Sequence, residues 1–228
     1  MNELTIITTS DGSHSLLNTQ LNETYHSTHG AVQESIHVFL KNGFDFLLEE
    51  NKLTQVNILE IGFGTGLNVL LTLYRGASLK IPIAYTSLEA FPITVEVARQ
   101  LNYPETLSMP DAVEKFDSLH HAAWNAKTKI QPDFNLIKLH AKLEDAQLET
   151  ERFDLVYYDA FAPSKQPEMW DIAMLGKVIN TMTTGGVFVT YCAKGQLKRD
   201  LKSLGLQVET LAGPPGKKEM VRAVKGQQ

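Results

Sequence analysis

Short apolar segments alternate with segments of helical periodicity along most of this 228-residue chain, and this alternation limits the folds that it can adopt. Helical spacing of apolar residues is seen at 67–74, 93–101, 111–125, 169–182 and 196–204. Apolar runs of strand length are seen at 56–61, 84–88, 134–139, 153–158, 187–191, 206–211 and 219–223. Strands that alternate with helices are typical of βαβ units. The pattern predicts an α/β fold with a mostly parallel sheet, in which Gly185-Gly186 ends the helix at 169–182.

The first 50 residues differ in pattern from the rest of the chain. Residues 1–30 are rich in Thr, Ser, Asn and His and show little periodicity, which predicts loops or short strands on the surface. Residues 31–50 carry apolar side chains at helical spacing, which predicts one or two helices. We expect residues 1–50 to form an N-terminal extension whose helices pack on the core. Residues 51–228 are expected to form the main domain, within a single structural unit.

Composition excludes several classes of protein. With 43% hydrophobic and 21% charged residues, the chain is unlike disordered or fibrous proteins. Its longest apolar stretch, at 67–73, is interrupted by Asn68 and Thr72, so no membrane span is expected. Cys192 is the single cysteine, which excludes an intramolecular disulfide. Since no secretory signal pattern is seen either, we expect a cytoplasmic protein.

Gly62, Gly64 and Gly66 follow the first predicted strand, in the segment EIGFGTGLN at 60–68. Glycine lets a backbone turn tightly and approach a ligand closely. In an open α/β sheet, such a loop lies at the carboxyl ends of the strands, where ligands bind. The sequence therefore predicts a ligand site on this loop.

The charges around the loop favour a cationic ligand over a dinucleotide. The dinucleotide fingerprint G-x-G-x-x-G requires a third glycine where this chain has Leu67. Glu60 would repel a pyrophosphate but suits an ammonium and a sulfonium, and at ~4 Å that reversal of sign is worth several kcal/mol. Glu89, at the end of the second strand, can accept hydrogen bonds from two ribose hydroxyls. We expect S-adenosylmethionine, with Glu60 and the glycines at its methionine end and Glu89 at its ribose.

Asp159 follows the fourth predicted strand and is expected at the same edge of the sheet as the glycine loop. Methyl transfer to an amine requires the nitrogen to lie in line with the methyl group and to have a free lone pair. A carboxylate can orient the amine and take its proton, which contributes ~10²–10⁴-fold. Phe161 offers an aromatic wall that suits a cationic centre. Asp159 and Phe161 are therefore the predicted catalytic residues.

Several segments together resemble the MnmC-type tRNA methyltransferases. They are the glycine segment at 60–68, DAFAPSKQPEMW at 159–170, GPPGKKEM at 213–220, and YHS at 25–27 followed by Gly30, Glu34-Ser35 and Val38-Phe39. The resemblance extends over most of the chain, from about Tyr25 to Arg222. The segment at 159–170 is the specific one, because many methyltransferases share the glycine loop.

The resemblance implies a Rossmann-like S-adenosylmethionine-dependent fold for residues 51–228, with a seven-stranded sheet and an antiparallel last strand. It implies methylation of 5-aminomethyl-2-thiouridine to 5-methylaminomethyl-2-thiouridine at the wobble position of tRNA. Asp159 matches the catalytic aspartate and also lies beside the methyl donor. Asn68 belongs to the donor-binding loop. A functional link to the enzymes that make the aminomethyl precursor is also implied.

Two features differ from the pattern of these relatives. Many of them have a Gly-Asp pair after the third strand that contacts adenine, whereas this chain has HAKLED at 140–145. Glu144 or Asp145 is expected to take that role in place of Lys142. The bifunctional relatives continue into a flavin-dependent oxidase domain, whereas this sequence ends at Gln228, so we expect the stand-alone form without a fused oxidase.

Basic residues are concentrated near the end of the chain. The net charge is −5, yet residues 194–228 contain eight basic and three acidic residues. Lys217 and Lys218 follow the rigid segment GPPG at 213–216, and Lys194 and Arg199 precede it. We expect these four residues to hold phosphates of the anticodon stem-loop of tRNA.

Other interpretations remain open at the level of sequence. The histidines at 26, 29 and 37 fit no zinc spacing, so no metal is expected. The chain can instead be a methyltransferase of another amine, in a small molecule or a protein, or a non-catalytic RNA-binding module. A dehydrogenase is disfavoured by the glycine spacing.

Overall fold

The first strands form a small antiparallel sheet of their own. The computed structural model describes residues 4–226, and it begins with strands β1 (Leu4–Thr8), β2 (His14–Asn18) and β3 (Glu23–Thr24). Strand β2 pairs with both of the others. Short strands were predicted here, but Leu16 of β2 is fully buried. The small sheet therefore packs on the body of the molecule and does not simply lie on its surface.

One helical segment follows, as predicted for residues 31–50. It consists of α1 (Ala31–Ser35), a π-helical stretch (Ile36–Asp45) and α2 (Phe46–Glu50). Phe39 and Phe44 are buried against the main sheet. A Cβ atom on Gly43 would come within 2.9 Å of Val189 Cγ2, so glycine permits the close approach of helix and sheet.

Eight strands form the main sheet, in the spatial order β10-β11-β9-β8-β4-β5-β7-β6. The elements of this part, in chain order, are β4 (Val56–Ile61), α3 (Leu67–Leu79), β5 (Ile83–Glu89), α4 (Val95–Ala98), α5 (Tyr103–Leu107), α6 (Ala112–His121), β6 (Lys127–Gln131), β7 (Phe134–His140), β8 (Phe153–Tyr158), α7 (Ile172–Ile179), β9 (Met182–Thr190), α8 (Gly195–Ser203), β10 (Leu206–Ala212) and β11 (Glu219–Lys225).

The five central strands are parallel, and the outer strands are antiparallel to their neighbours. Strand β11 runs antiparallel to both β9 and β10, so the predicted antiparallel last strand is confirmed. The prediction of seven strands is wrong by one, because β6 forms an antiparallel pair with β7 at the edge. Strand β6 has the sequence KTKIQ, whose alternating lysines give no apolar run.

The predicted helix over 169–182 is present but shorter, at Ile172–Ile179. The structure has a 3₁₀ turn (Pro167–Trp170), then α7, and the chain is already in strand β9 from Met182. Asp171 accepts a hydrogen bond from the Met174 N–H at 2.9 Å, and this N-cap separates the turn from the helix. The pair Gly185-Gly186 therefore ends no helix. It lies within β9, beside a shift in the pairing register with β8.

The sheet topology creates a crevice between β4 and β8. These neighbouring strands are parallel to each other. After β4 the chain continues to β5, on one side of the pair, and after β8 it continues to β9, on the other side. Ligands bind at such a switch point, outside the carboxyl ends of the strands. No helix within residues 4–226 has the length and apolar character needed to cross a membrane.

Candidate active site

A cavity of about 710 Å³ lies at the carboxyl ends of the central strands. Its walls come from the loops that follow β4, β5, β7 and β8, from the small N-terminal sheet, and from the β10–β11 loop. The cavity contains the following residues that the sequence predicted as site residues: Gly62, Gly64, Asn68, Glu89, Glu144, Asp159, Phe161 and Lys217. Five further predicted residues lie outside its lining: Glu60, Gly66, Lys194, Arg199 and Lys218.

Gly62 allows the loops after β4 and β8 to touch. Its φ is +96°, and a Cβ atom there would lie 2.6 Å from the backbone oxygen of Asp159. The Asp159 N–H donates to the Ile61 oxygen at 3.0 Å, which continues the pairing of β4 and β8 into the loops. The glycine at position 62 therefore fixes Asp159 next to the glycine loop.

Two buried histidines contact the glycine loop at Thr65. A ring nitrogen of His26 lies 2.7 Å from Thr65 Oγ1, and one of His120 lies 3.2 Å from the Thr65 backbone oxygen. Burial lowers the pKa of each histidine to about 4, so both are neutral at physiological pH. Gly66 lies just before α3 at φ +76° and packs against His120. It therefore shapes the loop although it does not line the cavity. No pattern in the sequence indicated these contacts.

Glu89 organises the loops at the second strand. One carboxylate oxygen accepts the Gly64 N–H at 3.0 Å, and the other accepts the Phe91 N–H at 2.8 Å. The remaining lone pairs of this carboxylate are available in the cavity wall for hydroxyl donors. Phe91, whose surface is 59% exposed, also lines the cavity and was not predicted.

Glu60 was expected to contact the ligand, but in the structure it does not line the cavity. Its side chain is 0% exposed and lies beneath the cavity, where Ser87 donates a 2.6 Å hydrogen bond to it. Burial, together with the nearby Asp159, raises the pKa of Glu60 to about 8. The Glu60 carboxyl group therefore lies behind the cavity lining and is not part of it.

Asp159 faces the cavity and accepts a 2.9 Å hydrogen bond from Asn68 Nδ2. Burial raises the pKa of Asp159 to about 7, and the charge of Glu34 adds to the increase. The Asn68 hydrogen bond and the charge of Lys217 act in the opposite direction. A carboxyl group with such a pKa can both accept and release a proton near neutral pH.

Two aromatic rings, of Tyr25 and Phe161, form part of the cavity wall next to the glycine loop, where a Cβ atom on Gly64 would lie 3.2 Å from the Tyr25 ring. Phe161 meets Tyr25 edge to face, with 5.0 Å between the ring centroids. The backbone around Phe161 is held in place because Trp170 Nε1 donates to its oxygen at 2.8 Å. Tyr25, from the loop after β3, is a further wall residue that was not predicted as a site residue, although YHS at 25–27 is part of the family resemblance.

Lys217 lies inside the cavity, in contrast to the expected phosphate-binding position. It forms an ion pair with the buried Glu34, and its Nζ lies 3.7 Å from the centroid of the Tyr191 ring. Lys218, Lys194 and Arg199 are exposed and lie outside the cavity. Of the four basic residues predicted to bind tRNA, these three lie on the exposed surface, where they are accessible to a large partner such as RNA.

Lys142 pairs with Glu144 through a contact of 3.3 Å, and both line the cavity near the loop after β7. The acidic residue expected after the third predicted strand is therefore present at the cavity. Among residues 4–226, no three His, Cys, Asp or Glu side chains come together as metal ligands.

Comparison with known proteins identifies the chemistry of this cavity. Residues 109–226, just over half of the chain, match a family model described as S-adenosyl-L-methionine-dependent methyltransferase. The chain belongs to this methyltransferase family. The methyltransferase cavity fits the donor in its volume and in the carboxylate of Glu89 on its wall.

The methyltransferase is similar to curated tRNA 5-methylaminomethyl-2-thiouridine biosynthesis bifunctional proteins named MnmC. It is 30% identical to that of Idiomarina loihiensis over 217 residues, which are 90% of this chain and 36% of the relative. It is 29% identical to that of Actinobacillus pleuropneumoniae serotype 5b, covering 92% and 33% of the two chains. The chain thus spans about one third of the length of these relatives.

A solved structure shares the fold of the methyltransferase. The crystal structure of MNMC2 from Aquifex aeolicus superposes with a TM-score of 0.78, at 22% identity, over 100% of this chain and 72% of that one. This similarity confirms the predicted Rossmann-like methyltransferase fold.

Proposed function

We propose that this methyltransferase converts 5-aminomethyl-2-thiouridine to 5-methylaminomethyl-2-thiouridine at the wobble position of tRNA. The observation that carries the proposal is the position of Asp159, which lies against Gly62 of the donor loop and lines the same cavity as Tyr25 and Phe161, with its pKa near 7. Such a carboxyl group suits an amine that must lose a proton as it is methylated. The names of the curated relatives support the nucleoside as substrate.

The donor-binding residues act through backbone and carboxylate groups. Gly62 and Gly64 let the backbone approach the methionine part, with Gly66 shaping the loop behind them. Glu89 accepts the ribose hydroxyls, and Glu144 lies where the adenine end is expected. When bound, the donor supplies an electrophilic methyl group on its sulfonium.

Asp159 performs the proton chemistry in this proposal. The substrate amine enters between Asp159 and the ring of Phe161, and the carboxylate accepts a hydrogen bond from its N–H. The nitrogen lone pair forms the new N–C bond, the S–C bond of the donor breaks, and the amine proton passes to Asp159. Asn68, held against Asp159, keeps the carboxylate aimed at the nitrogen.

Exposed basic residues supply the contact with RNA in this proposal. Lys218, Lys194 and Arg199 lie on the outer side of the β10–β11 loop and of α8, and they hold phosphates of the anticodon stem-loop. The wobble base then turns out of its stack to reach the cavity. We propose that this takes place in the cytoplasm, after other enzymes have made the aminomethyl precursor. The proposal covers the methyl transfer alone.

Nucleoside mass spectrometry tests the proposal directly. Transfer RNA from cells that lack this protein should accumulate the unmethylated aminomethyl nucleoside, and the purified protein with S-adenosylmethionine should convert it. Methylation of a protein or a small amine, with tRNA left unchanged, would replace the proposed substrate by another amine.

A further inference from the structure

Lys138, in β7, is a buried lysine that has no part in the proposed mechanism. The residue is 1% exposed, and no ion pair among residues 4–226 includes it. Its Nζ donates a hydrogen bond of 2.8 Å to the backbone oxygen of His120, in the last turn of α6. Burial lowers the pKa of Lys138 to about 8, so the ammonium is still charged at neutral pH. A buried charge without a carboxylate partner must be stabilised by the other groups around it.

Two aromatic rings lie against this ammonium. Lys138 Nζ lies 4.6 Å from the centroid of the Trp124 ring and 5.1 Å from that of Phe63. Cations are attracted to the faces of such rings, and more strongly where water is excluded. Phe63 stands between Gly62 and Gly64 in the glycine loop, and it lines the cavity. The ammonium therefore contacts the glycine loop through a ring that also forms part of the cavity wall.

A second path leads from Lys138 to the glycine loop through His120. The His120 ring is neutral, and its Nε2 lies 3.2 Å from the backbone oxygen of Thr65, to which it can donate. The same ring meets Phe63 edge to face, with 5.3 Å between the centroids. Lys138 therefore acts on two loop residues, on Phe63 directly and on Thr65 through the residue whose backbone it holds.

We propose that Lys138 is a positioning residue for S-adenosylmethionine and that its ammonium holds the glycine loop in the conformation that the donor binds. Phe63 and Thr65 stand on either side of Gly64, whose N–H is held by Glu89 at 3.0 Å. Three successive loop residues are thus fixed before the donor enters, which reduces the entropy that binding costs. Lys138 does not line the cavity, so it acts only through its neighbours. This role concerns the donor and does not depend on which amine is methylated.

Calorimetry with S-adenosylmethionine tests this role without any methyl acceptor. Lys138→Met removes the ammonium and keeps an unbranched apolar side chain. We expect its dissociation constant for the donor to rise by about threefold to tenfold, the cost of ordering one side chain on binding. Val178→Ala is the matched control, because Val178 is buried in α7 outside the cavity lining, so the variant loses packing but should bind the donor as wild type does. Wild-type affinity in folded Lys138→Met would overturn the proposal.

A cation near the C-terminus of a helix can also stabilise the helix alone, and Lys138→Gln separates that role from positioning. Glutamine keeps a hydrogen-bond donor for the His120 oxygen but brings no charge to the rings. We expect this variant to bind the donor at least about threefold more weakly. A role limited to α6 predicts unchanged affinity, and that result would refute the proposal. The same variant decides the question if Lys138→Met does not fold.

Hydrogen exchange measured by mass spectrometry reports whether the loop is ordered in advance. The N–H groups of Gly62, Gly64 and Gly66 are hydrogen-bonded, so the loop should exchange slowly in wild type. Without the donor, residues 62–66 should exchange faster in Lys138→Met, and the difference should disappear at saturating donor. Val178→Ala should show no such local increase. Equal exchange of residues 62–66 in Lys138→Met and wild type would show that the ammonium does not hold the loop.

Discussion

Asn68 Nδ2 donates a hydrogen bond of 2.9 Å to Asp159 Oδ2, which joins the first turn of α3 to the loop after β8. These two elements lie on either side of the switch point in the sheet, so the contact crosses the mouth of the crevice. A carboxylate held in this way keeps one oxygen free for an incoming amine. The geometry therefore matters as much as the charge of Asp159.

Replacement of Asp159 by Asn should separate donor binding from chemistry. We expect turnover to fall by about 10²–10⁴-fold, because the general base is lost while the shape is kept. Donor affinity by calorimetry should remain close to wild type. Full turnover in the variant would remove Asp159 from the mechanism.

The pH dependence of kcat/KM should respond in opposite directions to changes at Glu34 and Lys217. Because Asp159 must be ionised to act as a base, the rate should rise with pH through about 7 in wild type. Glu34→Gln removes a charge that raises the pKa of Asp159, so the acid limb should move to lower pH. Lys217→Met removes a charge that lowers it, so the limb should move to higher pH. Shifts in the same direction would contradict this electrostatic arrangement.

Gly62→Ala should destabilise the protein and weaken donor binding. A residue other than glycine at φ +96° is strained by about 1–3 kcal/mol, and the new Cβ would also press on the Asp159 backbone oxygen. Gly205→Ala is the matched control, since Gly205 has φ +88° but an added Cβ atom there would meet no other atom within 4 Å among the described residues. It should lose stability in urea unfolding without a change in donor affinity. Equal donor affinities in the two variants would argue against the role of Gly62.

Salt dependence should identify the basic residues that touch RNA. Lys218→Ala should reduce the slope of log affinity for tRNA against log salt by about 0.7–0.9, the value for one phosphate contact. Lys217→Ala should leave the slope unchanged, since Lys217 is paired with Glu34 inside the cavity. Lys52→Ala, at an exposed position before β4, is the control. A slope altered by Lys217→Ala alone would reverse the assignment.

The stability of the protein should depend on pH through Glu60. Its pKa is raised from 4.5 to about 8 on folding, so the native state binds more protons than the unfolded state between these values. The free energy of unfolding should therefore fall as pH rises across this window, by about 1.4 kcal/mol per pH unit relative to Glu60→Gln. The comparison with this variant cancels the opposite contributions of His26 and His120. Parallel pH profiles for the two proteins would show that Glu60 does not hold its proton.

The sequence was sufficient to predict which loops meet at the site. Parallel strands place their carboxyl ends at one edge, so a glycine loop after one strand and Asp159 after another were expected to be neighbours. Both line the cavity, as do Glu89 and Phe161. Strand β6 was missed because its polar edge sequence lacks an apolar run.

The depth of a side chain and contacts between distant segments were not predictable in the same way. Glu60 lies within β4, and the pattern of a buried strand does not reveal whether a carboxyl group near its end reaches the cavity or lies below it. Glu34 and Lys217 are 183 positions apart, and their pairing depends on how α1 and the β10–β11 loop pack together. Local periodicity carries no information about such a contact.

The ion pair of Glu34 and Lys217 also has a consequence for biosynthesis. Glu34 is buried, and its cationic partner is translated 183 residues later. During translation, the wall beside Asp159 therefore remains incomplete until the β10–β11 hairpin has left the ribosome. The nascent polypeptide acquires its finished pocket only after that hairpin has emerged and docked.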